Sequence, residues 1–134
     1  MMGFLLQTVS GGHVPAFEYH PASAFQPQVG MALKLDGGLL VKSGASEVPE
    51  FVAMKRADAA LTEGEMIPVV RVMPEIEFGV PASADMAAVP VGSKVTIHAD
   101  GLRVTATTGG PAKITGREGT AEGDIQWVRF EAAD

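Results

Sequence analysis

The chain of 134 residues contains no cysteine, which excludes disulfide bonds, thiolate nucleophiles and cysteine-ligated metal sites. Aromatic residues make up only 6% of it, too few for a platform on which single-stranded nucleic acid stacks. Positive charge is also scarce, because 10 lysines and arginines face 16 acidic residues, for a formal net charge of −6. Binding to a phosphate backbone requires a basic patch, so nucleic acid is not an expected partner.

Long apolar runs are absent as well. Hydrophobic residues make up 46% of the chain, yet no run approaches the roughly 20 residues of a membrane-spanning helix. The first residues have no basic region and turn polar at Gln7, unlike a secretory signal. We therefore expect a soluble protein, made in the cytoplasm, with no membrane partner. An apolar content this high in a small protein favours a surface kept for a partner.

The clearest local pattern is a β-hairpin between Lys94 and Thr107, where two alternating runs flank Asp100-Gly101. This dipeptide favours a two-residue type I′ turn, because both positions of that turn need a positive φ. The register is well specified, since a slip by one residue would turn the apolar face to water. The predicted cross-strand pairs are Ala99 with Leu102, His98 with Arg103, Ile97 with Val104, Thr96 with Thr105 and Val95 with Ala106.

A similar hairpin is predicted about 60 residues earlier in the chain. Val29-Gly30 precedes it, as Val91-Gly92 precedes the later hairpin. A three-residue loop at Asp36–Gly38 would pair Leu35 with Leu39 and Leu33 with Val41. The likeness continues downstream, where a glutamate-glycine turn leads into an apolar run in both places: Glu63-Gly64 before Val69–Val72, and Glu122-Gly123 before Trp127–Phe130.

These patterns predict an all-β fold, a small barrel or sandwich built from two related hairpin-based units, since no segment shows a sustained helical period. The expected divisions are an extended N-terminal arm at 1–28, a first unit at 29–80, an Ala/Pro connector at 81–90 and a second unit at 91–134, with 29–134 as one compact domain. Short helical turns are the most helix we expect, at Arg56–Thr62 and in the connector. Further strands are expected at Phe51–Lys55, Ala112–Arg117 and Ile125–Phe130. Pro68 lacks a backbone donor and favours an edge strand or a bulge.

The N-terminal arm is rich in glycine, proline, serine and histidine, and it cannot bury enough apolar surface to fold alone. Two alternatives stay open: the arm is mobile or is completed as a strand by a partner, or it packs on its own domain. Its apolar residues are candidate contacts with a partner or a second copy: Phe4, Leu5, Leu6, Phe17, Tyr19 and Phe25.

Trp127 and Arg129 are further candidate contacts. If Val128 and Phe130 face the core, alternation places Trp127 and Arg129 together on the outer face, the composition of an interface hot spot. The alternative is that Ile125 and Trp127 face the core instead.

Catalysis has little support in this sequence, and we expect no catalytic, cofactor-binding or metal site. The three histidines, His13, His20 and His98, lie far apart and lack the spacing of a zinc pair. Glu75 and Glu77 share one face of a predicted strand. A solvated strand face is a simpler interpretation of this pair than two catalytic carboxylates. Ala53-Met54-Lys55 resembles the tripeptide around the biotinylated lysine of biotin carrier domains, but Arg56 departs from that pattern and no glycine-rich turn adjoins it.

Across about Val29 to Phe130, the chain resembles the small capsid decoration, or cement, proteins of tailed phages and prophages. The residues that resemble them are Val29-Gly30 with Leu33–Leu39, Glu63–Val69, Val91-Gly92 with Lys94–Thr96 and Asp100–Leu102, and Gly119–Asp124 with Val128–Phe130. The resemblance implies a non-enzymatic virion protein, made in the host cytoplasm, that binds the major capsid protein on the outer capsid surface. It also implies a homotrimer over junctions between capsomers that stabilises the expanded head against internal DNA pressure. The alternatives are a small β module that binds glycan or protein, and a biotinyl-type carrier domain.

Overall fold

The protein is all-β, as predicted. A computed structural model describes residues 3–9 and 16–132, without the side chains of residues 7–9, and contains no helix in these ranges. Within them, therefore, no helix is long and apolar enough to cross a membrane. Eleven strands form two antiparallel sheets, neither of which closes into a barrel, so the architecture is consistent with a sandwich.

The strands follow one another in the order β1 Leu5–Val9, β2 Glu18–Pro21, β3 Ala32–Asp36, β4 Leu39–Lys42, β5 Phe51–Ala53, β6 Met66–Arg71, β7 Ile76–Pro81, β8 Lys94–Ile97, β9 Val104–Thr108, β10 Ala112–Arg117 and β11 Ile125–Phe130. One sheet has the order β2-β6-β5-β3-β4, and the other has the order β1-β7-β11-β10-β8-β9. The strands predicted at Ala112–Arg117 and Ile125–Phe130 are confirmed at both ends.

The structure contains a repeat, because five strands of each sheet occur in the same order, but its bounds differ from those of the predicted units. From here on, the first unit is β2 to β6 and the second is β7 to β11, so β2 comes from the predicted arm and β7 from the predicted first unit. Replacing β2 to β6 by β7 to β11 converts the first sheet into the second, apart from the added β1. Backbone hydrogen bonds recur with this order: Gly64 N donates to Ala22 O at 2.8 Å, and Gly123 N donates to Ala82 O at 2.9 Å. Isolated parallel bridges also recur, between Ala22 and Leu40 and between Ala82 and Val104.

The second hairpin has a longer loop than predicted. Ile97 pairs with Val104, and the hydroxyls of Thr96 and Thr105 lie 2.6 Å apart, as expected. However, no described residue other than glycine has a positive φ, so Asp100 cannot occupy a type I′ turn. Instead, Gly101 N donates to His98 O at 2.9 Å, and the Asp100 carboxylate accepts from Leu102 N at 2.8 Å. Val95 pairs with Thr108 rather than Ala106 because the ladder is irregular there, and Ala99 is exposed.

The first hairpin has the type of two-residue loop that we predicted for the second. Gly37 and Gly38 have φ values of 60° and 84°, which a type I′ turn requires at both positions. The predicted three-residue loop is therefore wrong by one residue, and the register pairs Leu35 with Leu40 and Leu33 with Lys42. Leu33 and Leu40 are the buried leucines of this hairpin.

The described part of the N-terminal segment packs on the protein's own sheets, the second of the two alternatives. β1 pairs with β7 at the edge of the six-stranded sheet, and β2 pairs with β6 at the edge of the five-stranded sheet. As a result β6, which contains Pro68, is an interior strand with a regular register at Pro68, so neither the predicted edge nor the predicted bulge occurs there. Pro68 is tolerated because the ladder between β5 and β6 ends at Ala53 and Val69, the pair before it.

Each unit has its own hydrophobic core, and the two cores exchange residues. Leu102, from the loop of the second hairpin, packs in the core of the first unit, while Ala32 and Val52 pack in the core of the second. Ala32 N also donates to Gly101 O at 2.9 Å. The division of the chain at 81–90 stays a prediction, and three residues of this connector, Ala82, Met86 and Val89, are buried in the second core.

Candidate functional site

An apolar pocket of about 70 Å³ lies between the start of β1 and Phe17, the residue just before β2. Its lining comes from both sheets and contains no titratable side chain. The lining residues are Phe4, Leu5, Leu6, Phe17, Val52, Met54, Val70 and Phe78. A pocket this small has room for one aliphatic side chain rather than for a drug-sized ligand.

Four exposed apolar side chains surround this pocket or continue from it along the sheet. Leu6 is 38% exposed, Phe17 52%, Met66 54% and Tyr19 60%. Cross-strand partners share a face of the sheet, so the pairing of Tyr19 with Pro68 and of Pro21 with Met66 places them on the face of Val70. We call Leu5, Leu6, Phe17, Tyr19, Met54 and Met66 the N-terminal apolar surface.

The opposite face of β2 carries polar side chains that bind β6. The Arg71 guanidinium donates two hydrogen bonds to the Glu18 carboxylate, at 2.8 Å and 2.9 Å, and lies over the ring of Phe51. His20 contacts the same carboxylate at 3.1 Å. The hydrogen bonds from Arg71, and then from His20, lower the pKa of Glu18 below its usual value. These contacts fix β2, so its outer face presents Phe17 and Tyr19 on a positioned backbone.

The six candidate contacts from the arm do not all lie together. Leu5, Leu6, Phe17 and Tyr19 lie at the N-terminal apolar surface. Phe4 lines the floor of the pocket but is 1% exposed, so its side chain belongs to the core. Phe25 packs against the core of the first unit instead.

Met54, Met66 and Val70 complete the N-terminal apolar surface and its pocket, and the sequence analysis missed them. A signal for two of them was present, because Met66 and Val70 alternate with the buried Ile67 and Val69 in β6. Only the pairing of β6 with β2 shows that this second row lies beside Phe17 and Tyr19.

Trp127 has the first of its two predicted orientations. Gln126, Val128 and Phe130 are buried, while Trp127 and Arg129 lie half-buried on the outer face of β11. The indole lies against Gly116, where an added Cβ would be 2.6 Å from Trp127 Cε3, and the partner of Trp127 on the other side is Gly79. An aromatic side chain that covers cross-strand glycines stabilises a sheet, so the position of Trp127 has a structural explanation.

The titratable residues considered for catalysis lie in separate local contacts. His98 Nδ1 accepts from Asp100 N at 3.2 Å, and Thr115 donates to Glu77 at 2.7 Å. Lys55 Nζ lies 3.6 Å from a Glu65 carboxylate oxygen, beyond the end of β5 and not at a hairpin tip. Residues 3–9 and 16–132 contain no cluster of three acidic or histidine side chains that could hold a metal ion. His13 lies outside the described residues.

Comparison with known proteins adds no relative to this description. No family model matches the chain, and no curated protein matches it significantly. The likeness to phage decoration proteins therefore rests on the residues quoted for it in the sequence.

Proposed function

We propose that this protein is a capsid decoration, or cement, protein that binds the outer surface of a phage head shell and stabilises it without catalysis. The observation that supports this most directly is the N-terminal apolar surface. Four large apolar side chains are exposed there beside an apolar pocket, on a chain of only 134 residues. Contiguous exposed apolar area of this kind marks sites of contact with other proteins.

Several residues quoted for the resemblance lie in glycine turns that recur in the two units. Gly64 and Gly123, from the two glutamate-glycine turns, have φ values of 91° and 89° and precede β6 and β11. Gly30 and Gly92 precede the two hairpins with φ values of 88° and 101°. The quoted motifs are therefore turns that glycine alone makes without strain, and they define the repeated unit that the resemblance covers.

Mass action supplies the mechanism. A protein that binds the expanded shell, and not the separate or unexpanded subunits, stabilises the expanded shell by a free energy that rises with the logarithm of its free concentration above the Kd. A homo-oligomer, trimeric as the resemblance implies, multiplies this effect because one particle contacts several capsid subunits at once. The trimer stays a prediction that sedimentation equilibrium tests.

The test is co-sedimentation of the purified protein with head shells assembled from the major capsid protein of the same phage. Saturable binding to expanded shells, with weak or absent binding to unexpanded shells, is the expected result. Absence of binding to both forms of shell overturns the proposal.

The contact surface is tested with a matched pair of variants. Phe17→Lys places a charge in the N-terminal apolar surface. Val91→Lys places the same charge outside that surface, at a residue of nearly equal exposure: Val91 is 54% exposed and Phe17 is 52% exposed. We expect Phe17→Lys to weaken shell binding about tenfold or more, the effect of losing a hot-spot residue, and Val91→Lys to leave it unchanged. Deleting residues 1–28 is a poorer test, because it removes β1, β2 and the buried Phe4.

The alternatives have tests of their own. A biotin carrier is excluded by an unshifted intact mass after co-expression with a biotin ligase, because Lys55 would be the residue that carries the biotin. A glycan-binding module predicts that sugars perturb the fluorescence of Trp127, whose indole is the single one in the chain.

A further inference from the structure

The repeat exposes a difference between the edges of two equivalent strands. In the second unit, β7 lies between β11 and β1, and β1 pairs with residues 76–79. In the first unit, the equivalent strand β2 pairs with β6 and is the edge of its sheet. Glu18 pairs with Val69 as Phe78 pairs with Val128, so the stretch of β2 that corresponds to the site of β1 is residues 16–19.

The backbone of β2 presents hydrogen-bonding groups to this open side. Pro68 O accepts from Met54 N at 3.0 Å, so Pro68 directs its backbone groups towards the side of β5. Its partner Tyr19 therefore forms a pair that exchanges no hydrogen bonds with β6. The N–H and C=O of Tyr19 therefore point away from β6, in the plane of the sheet, and alternation along the chain gives Phe17 the same orientation.

The open stretch is bounded at its C-terminal end. Ser23 N donates to Leu40 O at 3.0 Å, and the bridge between Ala22 and Leu40 places β4 against the chain just beyond β2. Bridging at Ala82 bounds the site of β1 in the second unit in the same way. The stretch at residues 16–19 therefore ends at the same place in the repeat as the stretch of β7 with which β1 pairs, residues 76–79.

We propose that residues 16–19 at the edge of β2 accept an extended segment of a partner protein, which pairs antiparallel with β2 and inserts one aliphatic side chain into the adjacent pocket. β1 is the template for this occupant within the same molecule. Its register pairs Leu5 with Gly79 and Leu6 with Phe78, which places the equivalent residues of the occupant opposite Tyr19 and Glu18.

The chemistry of the occupant follows from the two features it meets. Two outward N–H and two outward C=O groups, of Phe17 and Tyr19, select an extended backbone. The pocket between Leu6 and Phe17 has an apolar lining and selects an aliphatic side chain. Because four residues of edge give few backbone hydrogen bonds, we expect this side chain to supply much of the affinity. The inference relies on the proposed function only for the identity of the partner, which would then be the major capsid protein.

The test uses a peptide with the sequence of residues 3–9, Gly-Phe-Leu-Leu-Gln-Thr-Val, added to the ¹⁵N-labelled full-length protein. We expect chemical-shift changes at Phe17, Tyr19 and the pocket, and amide exchange of Tyr19 that is about tenfold slower at saturation. Tyr19→Pro removes the outward N–H while leaving the β2–β6 hydrogen bonds in place, and it should abolish these changes. Tyr19→Phe keeps that N–H and should preserve them.

Three results overturn the proposal: no shift changes at millimolar peptide, changes confined to β7 through exchange with β1, or equal binding by Tyr19→Pro. The exchange measurement on the unsubstituted protein decides the question if Tyr19→Pro fails to fold. Failure of the proposed function is distinguishable, because in that case the peptide protects Tyr19 while head shells bind none of the variants. If shells bind Tyr19→Pro and Tyr19→Phe equally, the function stands and the edge is not its contact.

Discussion

The two units place different chemistry at one equivalent position. In the first unit, Glu18 on β2 and Arg71 on β6 form a doubly hydrogen-bonded ion pair. In the second unit, the corresponding residues are Phe78 on β7 and Phe130 on β11, whose ring centroids lie 5.6 Å apart. Strand order and register are shared, so the backbone does not explain this difference.

The strand that covers the edge does explain it. The segment containing β1 brings Phe4 onto the aromatic pair, with ring centroids 5.0 Å from Phe130 and 6.4 Å from Phe78, and all three rings are buried. Arg71 is exposed in the first unit, where no sixth strand from the described residues covers β2. At a covered edge, the facing side chains are shielded from water and are apolar. At an open edge, a solvent-exposed ion pair can link the edge strand to its neighbour without being buried.

Phe4→Ala is the substitution that should change the comparison most. It removes a fully buried ring from the core of the second unit and takes away the anchor of β1. We expect the free energy of unfolding to fall by about 3–5 kcal/mol, the usual cost of truncating a buried phenylalanine. Urea denaturation followed by Trp127 fluorescence measures this, because Trp127 pairs with β7 beside β1.

Leu6→Ala is the matched control for Phe4→Ala. Leu6 belongs to the same segment but is 38% exposed, so its truncation should cost about 1 kcal/mol or less. If Phe4→Ala lowered the free energy of unfolding as little as Leu6→Ala does, the ring of Phe4 would not anchor β1, and β1 would be held by its backbone hydrogen bonds alone.

Gly116→Ala should have the next largest effect, and it tests why the outer faces of the two units differ. The new Cβ would lie 2.6 Å from the indole of Trp127, and in the first unit the place of Trp127 is taken by Pro68. Crowding of this kind costs about 1–3 kcal/mol, which thermal denaturation measures.

A double-mutant cycle isolates the contact between Gly116 and Trp127. In a Trp127→Leu background, Gly116→Ala should cost less, because the ring that it displaces is gone. A cost that is the same in both backgrounds would place the strain of Gly116→Ala in the backbone rather than against Trp127.

Alternation predicted the buried residues in the strands of the second hairpin but not in those of the first, where the loop is one residue shorter than predicted and Leu40 is buried instead of Leu39 and Val41. Turn chemistry was not enough to predict either loop. Val95, Ile97 and Val104 are buried as expected, since the period of two is a property of the strand itself. The loops depend on which residues accept a positive φ. Two adjacent glycines adopt a positive φ in the first hairpin. In the second hairpin Asp100 does not, and its carboxylate instead accepts hydrogen bonds from Leu102 N and the Arg103 side chain.

The candidate site was predictable only in part, because its residues come from distant parts of the chain. Phe17 and Tyr19 were identified from their apolar character in a polar segment. Met54, Met66 and Val70 could not be placed beside them without the pairing of β2 with β6, which spans about 50 residues of chain and leaves no local pattern. The ion pair of Glu18 with Arg71 was missed for the same reason.

Glu18→Gln should have the smallest effect and gives the comparison a pH dependence. Because Arg71 and His20 lower the pKa of Glu18 in the folded protein, the pair contributes stability above the unfolded value of about 4.3 and loses it as the pH falls through the lowered pKa. At neutral pH the substitution should cost about 0.5 kcal/mol, as expected for an ion pair that is one-third to one-half exposed, and the difference from the unsubstituted protein should vanish in acid. Glu122→Gln, at an exposed loop position of the second unit, is the control and should leave the free energy of unfolding at neutral pH unchanged. A cost of Glu18→Gln that stays constant from neutral pH to pH values below the lowered pKa would assign it to packing, and the open edge would then not be held by the charge of Glu18.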